Sequence, residues 1–332
     1  IPFVKKIEEH YEYLQLYKRT GNEISAINTL FQLQAIYNLN PQYRENCSSI
    51  LLMPNLFIHA LSNMQVNELS IASTTQLMNA NTMQWDEELI NKVFNHVLPL
   101  APIERPHQII GTVRDYPSIK MALVPGHDTA CALSALPIIN AQSIFISLGT
   151  WGIIGMELES PVLTEQAFLQ GFTNERTSEG NIRFQKNAPG FWILQKLREE
   201  WAKRGEPSSF EFERTAFYKA EQFTTLINPN AENFFNPESM EVAIEAYCRQ
   251  TEQTIPITKG QVIHCVTESI ALYYTHTIQE LESITNCTAS EIYIGGGGAQ
   301  NEILCQLLAN ATQKIIKAGP IEASSIGNGL SQ

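Results

Sequence analysis

The sequence predicts an α/β protein of two lobes. Helical and extended segments alternate along the chain, a proline-containing break falls at 137–142, and 332 residues suit about two domains. With 44% hydrophobic residues the chain has enough apolar side chains for sizeable cores. The expected division is 1–140 and 141–332.

The first lobe opens with helices. Val4, Ile7, Tyr11 and Leu14 recur at helical spacing, as do Leu30, Leu33, Ile36 and Tyr37, and Asn40-Pro41 stops the run. Residues 49–61 are apolar and interrupted by Pro54, which predicts a buried turn and helix. Residues 85–97 form an amphipathic helix. Residues 120–124 read as a short buried strand, followed by a small-residue helix over 130–135.

In the second lobe, 143–147 and 151–156 are strands joined at Gly149-Thr150, and 182–185 is a third. Helices are expected over 188–204, 240–249, 260–284 and 300–312, strands over 291–294 and 314–318, and a last helix from Glu322.

Charge narrows the function. Twenty-two Lys and Arg against 34 Asp and Glu give a net charge of −12, which disfavours nucleic-acid binding and polybasic membrane attachment. The charge-free stretch 129–156 is broken by Pro137, Asn140 and several glycines, so it is not a spanning helix. Six scattered cysteines without a C-x-x-C pair suit a reduced, cytoplasmic protein. Cys248 and Cys265 bracket a turn, with buried thiols preferred over a bridge.

Four motifs could carry chemistry. Gly295 to Gly298 follow a strand and open a helix, where backbone amides can meet an anion; a tight turn without ligand is the plain alternative. The third glycine of a dinucleotide fingerprint and the Gly-Lys of a P-loop are both missing, which weakens an NAD-dependent reading. The chain has only three aspartates, and Asp128 alone lies between an apolar strand and an uncharged helix. There it can serve as a general base with a pKa raised by desolvation, or simply cap the helix, a task Thr129 could take over. Thr150 can offer a hydroxyl to a phosphate, or occupy an ordinary hairpin turn. Asn187 can bond a sugar or cap the next helix. No H-E-x-x-H and no metal-spaced Cys/His cluster is present.

Taken in order, Gly126-His127-Asp128-Thr129, Ser147-Leu148-Gly149-Thr150-Trp151 and Gly296 to Asn301 resemble the FGGY carbohydrate kinases. Stretches 31–36, 51–54, 74–77, 187–195, 227–230 and 318–325 extend the resemblance over nearly the whole chain, most of all to members acting on L-rhamnulose. The resemblance implies two ribonuclease-H-like lobes, as in actin and hexokinase, with a cleft between them. It implies ATP and Mg²⁺, with Asp128 as catalytic base and His127, Thr129 and Asn187 at the sugar. Thr150, Gln195, Gly297 and Gly298 would then stand at ATP, with Asn301 close by. The partners implied are ATP and a ketose, L-rhamnulose or a relative such as L-fuculose or a pentulose, in a monomer or homodimer.

The family opens with a strand and an Asp-x-Gly phosphate turn, which residues 1–40 do not match. The chain begins Ile1-Pro2 and stops at Gln332, so both ends look cut and the first lobe incomplete. Strand 120–124 would then lack sheet partners, and this chain alone is expected to be a poor kinase or none. A non-catalytic nucleotide- or sugar-binding module on the same fold is the rival reading.

Overall fold

The computed structural model describes residues 12–138 and 142–332. They form two compact units. One comprises 12–138 with 155–186 and 322–332; the other comprises 142–154 and 187–321. Relative to a single break near 140, the first unit thus also includes an internal segment and the last residues.

In the first unit, helices Tyr13–Thr20 and Thr29–Leu39 are separated at Gly21. Gly21 takes φ +75°, and a Cβ there would stand 2.9 Å from Asn174 Cβ. The second helix ends before Asn40-Pro41, as its stop signal predicts. Leu30 and Tyr37 enter a core with Leu89, Val93 and Phe94 of helix Glu87–Phe94, whereas Ile36 is exposed. Asp86 caps that helix by accepting from Leu89 N at 3.0 Å and holds Arg19 at 2.6 Å. Of the expected opening helical pattern, Val4, Ile7 and Tyr11 lie outside the described residues.

The structure corrects two expectations. Pro54 starts helix Met53–Ser62 instead of interrupting it, since a first-turn proline lacks only an N–H that has no intrahelical acceptor. That helix is not buried: Met53, Leu56, Phe57 and Leu61 are exposed, and its one buried residue is Asn55. Second, strand 120–124 is part of Tyr116–Leu123, mostly exposed, and it has a partner. Gln108–Val113 pairs with it antiparallel, with register shifts at Ile109/Gly111 and Thr112/Val113. Those shifts break the period-2 pattern by which the sequence would have shown the hairpin.

Helix Asp128–Ser134 lies against helix Ala323–Leu330. The contact is backbone to backbone, because a Cβ on Gly327 would stand 1.7 Å from the Cys131 carbonyl oxygen. Strands Thr173–Arg176 and Ile182–Pro189 pair antiparallel, and Phe172 stacks on Phe184 with centroids 4.8 Å apart.

The second unit is built on parallel strands Ile144–Leu148, Glu291–Gly295 and Ile315–Ala318, with the middle one paired to both others. Ile144, Phe145, Ile146, Ile292, Tyr293 and Ile294 are all buried, the continuous apolar pattern of a covered parallel sheet. Helix Lys259–Thr285 carries a Thr258–Gln261 capping box. Helix Met240–Gln250 packs against helix Trp192–Lys203 and buries Cys248; all six cysteines are free thiols. Helix Phe210–Lys219 escapes the sequence reading, although Ser209 caps it by accepting from Phe212 N at 3.1 Å. Among the described residues no helix is long and apolar enough to cross a membrane.

The Gly327 contact sets an expectation. Gly327→Ala should cost roughly 1–3 kcal/mol through forced separation of the two helices, read as a lowered thermal midpoint. Gly329→Ala, where nothing lies within 4 Å, should leave that midpoint unchanged or raise it.

Candidate active site

The candidate residues of the first unit are organised by a buried carboxylate. Glu68 is fully buried and accepts from Ser70 N at 2.8 Å, Ser70 Oγ at 2.6 Å, Ile71 N at 3.2 Å and Gly126 N at 2.7 Å. Ser70 Oγ in turn accepts from His127 N at 3.2 Å. The loop 125–128 is therefore fastened through its amides before any side chain of the loop takes part.

His127, not Asp128 or Thr129, is the N-cap of helix Asp128–Ser134, and Asp128 is its first residue. Asp128 Oδ1 accepts from Thr129 N at 2.7 Å and from the Thr129 hydroxyl at 3.3 Å. His127 Nδ1 stands 3.1 Å from that same oxygen. Thr129 N is also 3.1 Å from Nδ1, but its shorter bond goes to the carboxylate. Asp128 is 82% exposed at its side chain, so it is open to a solute, whereas Thr129 is buried.

The expected upward pKa shift is overturned. The His127 hydrogen bond, with the Thr129 bonds, outweighs desolvation and lowers the Asp128 carboxyl to about 2. The group is therefore ionised throughout the physiological range.

Around His127 stand groups that sequence reasoning missed. Glu175 Oε2 lies 3.8 Å from His127 Nε2 and accepts from Arg183 Nη2 at 2.8 Å and Gln185 Nε2 at 2.9 Å. The signal available was the run Ile182-Arg-Phe-Gln185, where a fully buried arginine demands a carboxylate.

A separate group of candidate residues lies in the other unit. Gly149 and Thr150 form the turn after strand Ile144–Leu148. Their carbonyls accept from Phe191 N at 3.0 Å and Trp192 N at 3.1 Å, at the head of helix Trp192–Lys203. Gly190 allows this approach: a Cβ there would be 2.5 Å from the Gly149 carbonyl oxygen. Gln195 sits in the first turns of the same helix, half-buried, with its amide bonded to the Phe191 carbonyl at 2.8 Å.

The glycine turn packs on the same strand end. Gly296, at φ +86°, would place a Cβ 2.8 Å from the Leu148 carbonyl oxygen, and Gly298 one 2.2 Å from Leu148 Cγ. Gly297 differs: nothing lies within 4 Å of its Cβ position and it is exposed. Packing accounts for Gly296 and Gly298 but leaves Gly297 unexplained. Gly297 heads the 3₁₀ turn Gly297–Gln300, so its amide has no acceptor within that turn. Asn301 spends its side-chain oxygen on capping helix Glu302–Thr312, accepting from Leu304 N at 2.9 Å.

Asn187 is exposed within strand Ile182–Pro189, and helix Trp192–Lys203 begins beyond it with Phe191 as N-cap. The capping alternative for Asn187 is thereby excluded. The structure thus gathers His127, Asp128 and Thr129 in one unit, and Thr150, Gln195, Gly297 and Gly298 around the Leu148 strand end in the other. As for Mg²⁺, among the described residues no three His, Cys, Asp or Glu side chains gather to hold a metal ion.

Residues 144–332 match the C-terminal domain of the FGGY family of carbohydrate kinases, and residues 1–132 match its N-terminal domain. The chain belongs to this family, whose members are ATP-dependent sugar kinases. It is 35% identical over 338 residues to a rhamnulokinase of Bacillus subtilis, covering 99% of this chain and 68% of that one. It is 34% identical over 325 residues to a rhamnulokinase of Bacteroides thetaiotaomicron, covering 96% and 66%. The chain therefore spans about two thirds of the length of these relatives. In fold it is similar to a glycerol kinase of Plasmodium falciparum with ADP, at TM-score 0.79 and 17% identity over 99% of this chain and 67% of that one. A xylulose kinase of Lactobacillus acidophilus gives TM-score 0.77 and 15% identity over 99% and 67%. The two-lobed actin- and hexokinase-like architecture is thus the chain's fold.

The His127–Asp128 contact has a measurable consequence. Followed by ¹³C NMR, the Asp128 carboxyl should titrate at about 2, and in His127→Ala should move up toward the ordinary ~4. The folded value lies below the unfolded one, so the stability it lends is complete above about pH 4 and is lost as pH falls toward 2.

Proposed function

We propose that the protein transfers the γ-phosphate of ATP to the 1-hydroxyl of L-rhamnulose, with Asp128 as general base. The observation that carries this reading is the identity of 34–37% to three rhamnulokinases over 95–99% of the chain. The ionised, exposed Asp128 and the exposed Gly297 at the head of its 3₁₀ turn support it.

In the proposed reaction the sugar oxygen attacks the γ-phosphorus. The new O–P bond forms as the bond from phosphorus to the β,γ-bridging oxygen breaks, ADP leaves, and the hydroxyl proton passes to Asp128. A carboxylate with a pKa near 2 is a weak base toward a free alcohol. It suits a proton that moves late, once bonding to phosphorus has made the attacking oxygen acidic. His127 and Thr129 hold the receiving carboxylate, and Asn187 offers an amide to the sugar. Thr150, Gln195, Gly297 and Gly298 take the nucleotide, the glycine amides meeting phosphate oxygens as helix-start amides do. Mg²⁺ would act as a partner of the nucleotide phosphates.

A coupled assay of ADP release tests the reading. L-Rhamnulose should give the highest kcat/KM in a panel with L-fuculose and pentuloses; a pentulose preferred over it would reassign the substrate. Asp128→Asn should lower kcat by roughly 10²–10⁴ while ATP still binds. Turnover near the parent rate in that variant would end the base assignment, and nucleotide binding without turnover of any sugar would favour a non-catalytic module.

A further inference from the structure

We infer that Glu175, clamped by Arg183 and Gln185, is a positioning residue that orients the His127 ring and through it the Asp128 carboxylate; this rests on Asp128 being the base. The argument begins with strand register. Glu175 stands directly opposite Arg183, and Thr173 opposite Gln185, so Glu175, Arg183 and Gln185 share one face of the strand pair. Ile182 and Phe184 point to the other face, where Phe184 stacks on Phe172. Residues 182–185 are buried on both faces of the strand, which removes the freedom of Arg183 and Gln185 to turn elsewhere.

Glu175 Oε2 takes one bond from each neighbour, at 2.8 and 2.9 Å, and Arg183 Nε is further fixed on the Arg176 carbonyl at 3.1 Å. An immobilised carboxylate oxygen is thus presented 3.8 Å from His127 Nε2, while Nδ1 of the same ring faces Asp128 at 3.1 Å. The ring thus lies between a fixed acid behind it, at ion-pair rather than hydrogen-bond distance, and an exposed acid in front. Surface carboxylates are seldom this restrained; the arrangement is what a reactive group needs from its supporting residues. Other charges face the cluster: Glu68 and the Cys131 thiol lie near Arg183 together with Asp128.

Glu175→Gln in the full chain separates positioning from simple electrostatics by sign. Removing a nearby negative charge alone would lower the Asp128 titration midpoint. Loosening the His127 ring raises it, because the hydrogen bond from that ring is what holds it down. We expect a rise in ¹³C titrations, with kcat reduced roughly five- to tenfold and KM little changed. In a His127→Ala background the same substitution should cost no further kcat. An unchanged or lowered midpoint, or equal losses in both backgrounds, would overturn the inference. If Glu175→Gln does not fold, Gln185→Met removes one clamp without changing charge, and a smaller rise in the midpoint is expected; its absence counts equally against the inference. Should Asp128→Asn keep full turnover, the base assignment fails by itself, while the midpoint measurement still decides what Glu175 does to His127 and Asp128.

Discussion

The fully buried carboxylate of Glu68 is the constraint on which the candidate residues of the first unit depend. A carboxylate removed from water is stable only if its lone pairs are taken up. In this protein they are taken up by two amides and a hydroxyl from its own segment and by the amide of Gly126. The last of these fastens one chain segment to another 58 residues away. Gly126 is a glycine for the same reason, since a Cβ would stand 3.0 Å from Ile71 Cγ2 and 3.2 Å from Glu68 Oε2. The positions of His127 and Asp128 follow from this backbone tie, not from their own side chains.

Three acids near one another thus do different work because their surroundings differ. Glu68 is enclosed and saturated with donors. Glu175 is nearly enclosed and clamped by a buried arginine and an amide. Asp128 is open, bonded on one side only, and ionised. Sequence alone treats them alike, apart from the rarity of aspartate. Burial and donor count separate the enclosed acids from the one open to a solute.

What was legible in the sequence follows from what is local. The stop at Asn40-Pro41 and the apolar strands expected at 143–147 and 291–294 depend on neighbours within a few residues, and each could be read; the setting of Asp128 could not, because the strand before it is mostly exposed and its donors lower its pKa. The surplus in the glycine turn, now located at Gly297, could be read as well. The hairpin 108–123 was hidden because its register shifts erase the alternation that marks a strand. The exposed apolar face of helix Met53–Ser62 defeated the assumption that apolar runs are interior. The Glu175–Arg183 pair was invisible because it depends on strand register, which brings together residues eight apart only after both strands have formed.

The net charge of −12 and the proposed handling of a polyanion are reconciled by the same distinction between local and global. A triphosphate is repelled by the molecule as a whole, so attraction must come from groups that act at hydrogen-bond range and add no bulk. Backbone amides at a glycine turn meet that requirement, since their partial charges are fixed by the peptide geometry and lose little to screening at contact distance. On the proposed reading such a grip depends on backbone shape: Gly296 and Gly298 pack closely on Leu148 while Gly297 in the same turn stays bare. A lysine could have supplied more charge, but its long flexible stem would fix the phosphate less closely. In-line transfer between two oxygens tolerates little displacement, so rigid placement is worth more there than added attraction.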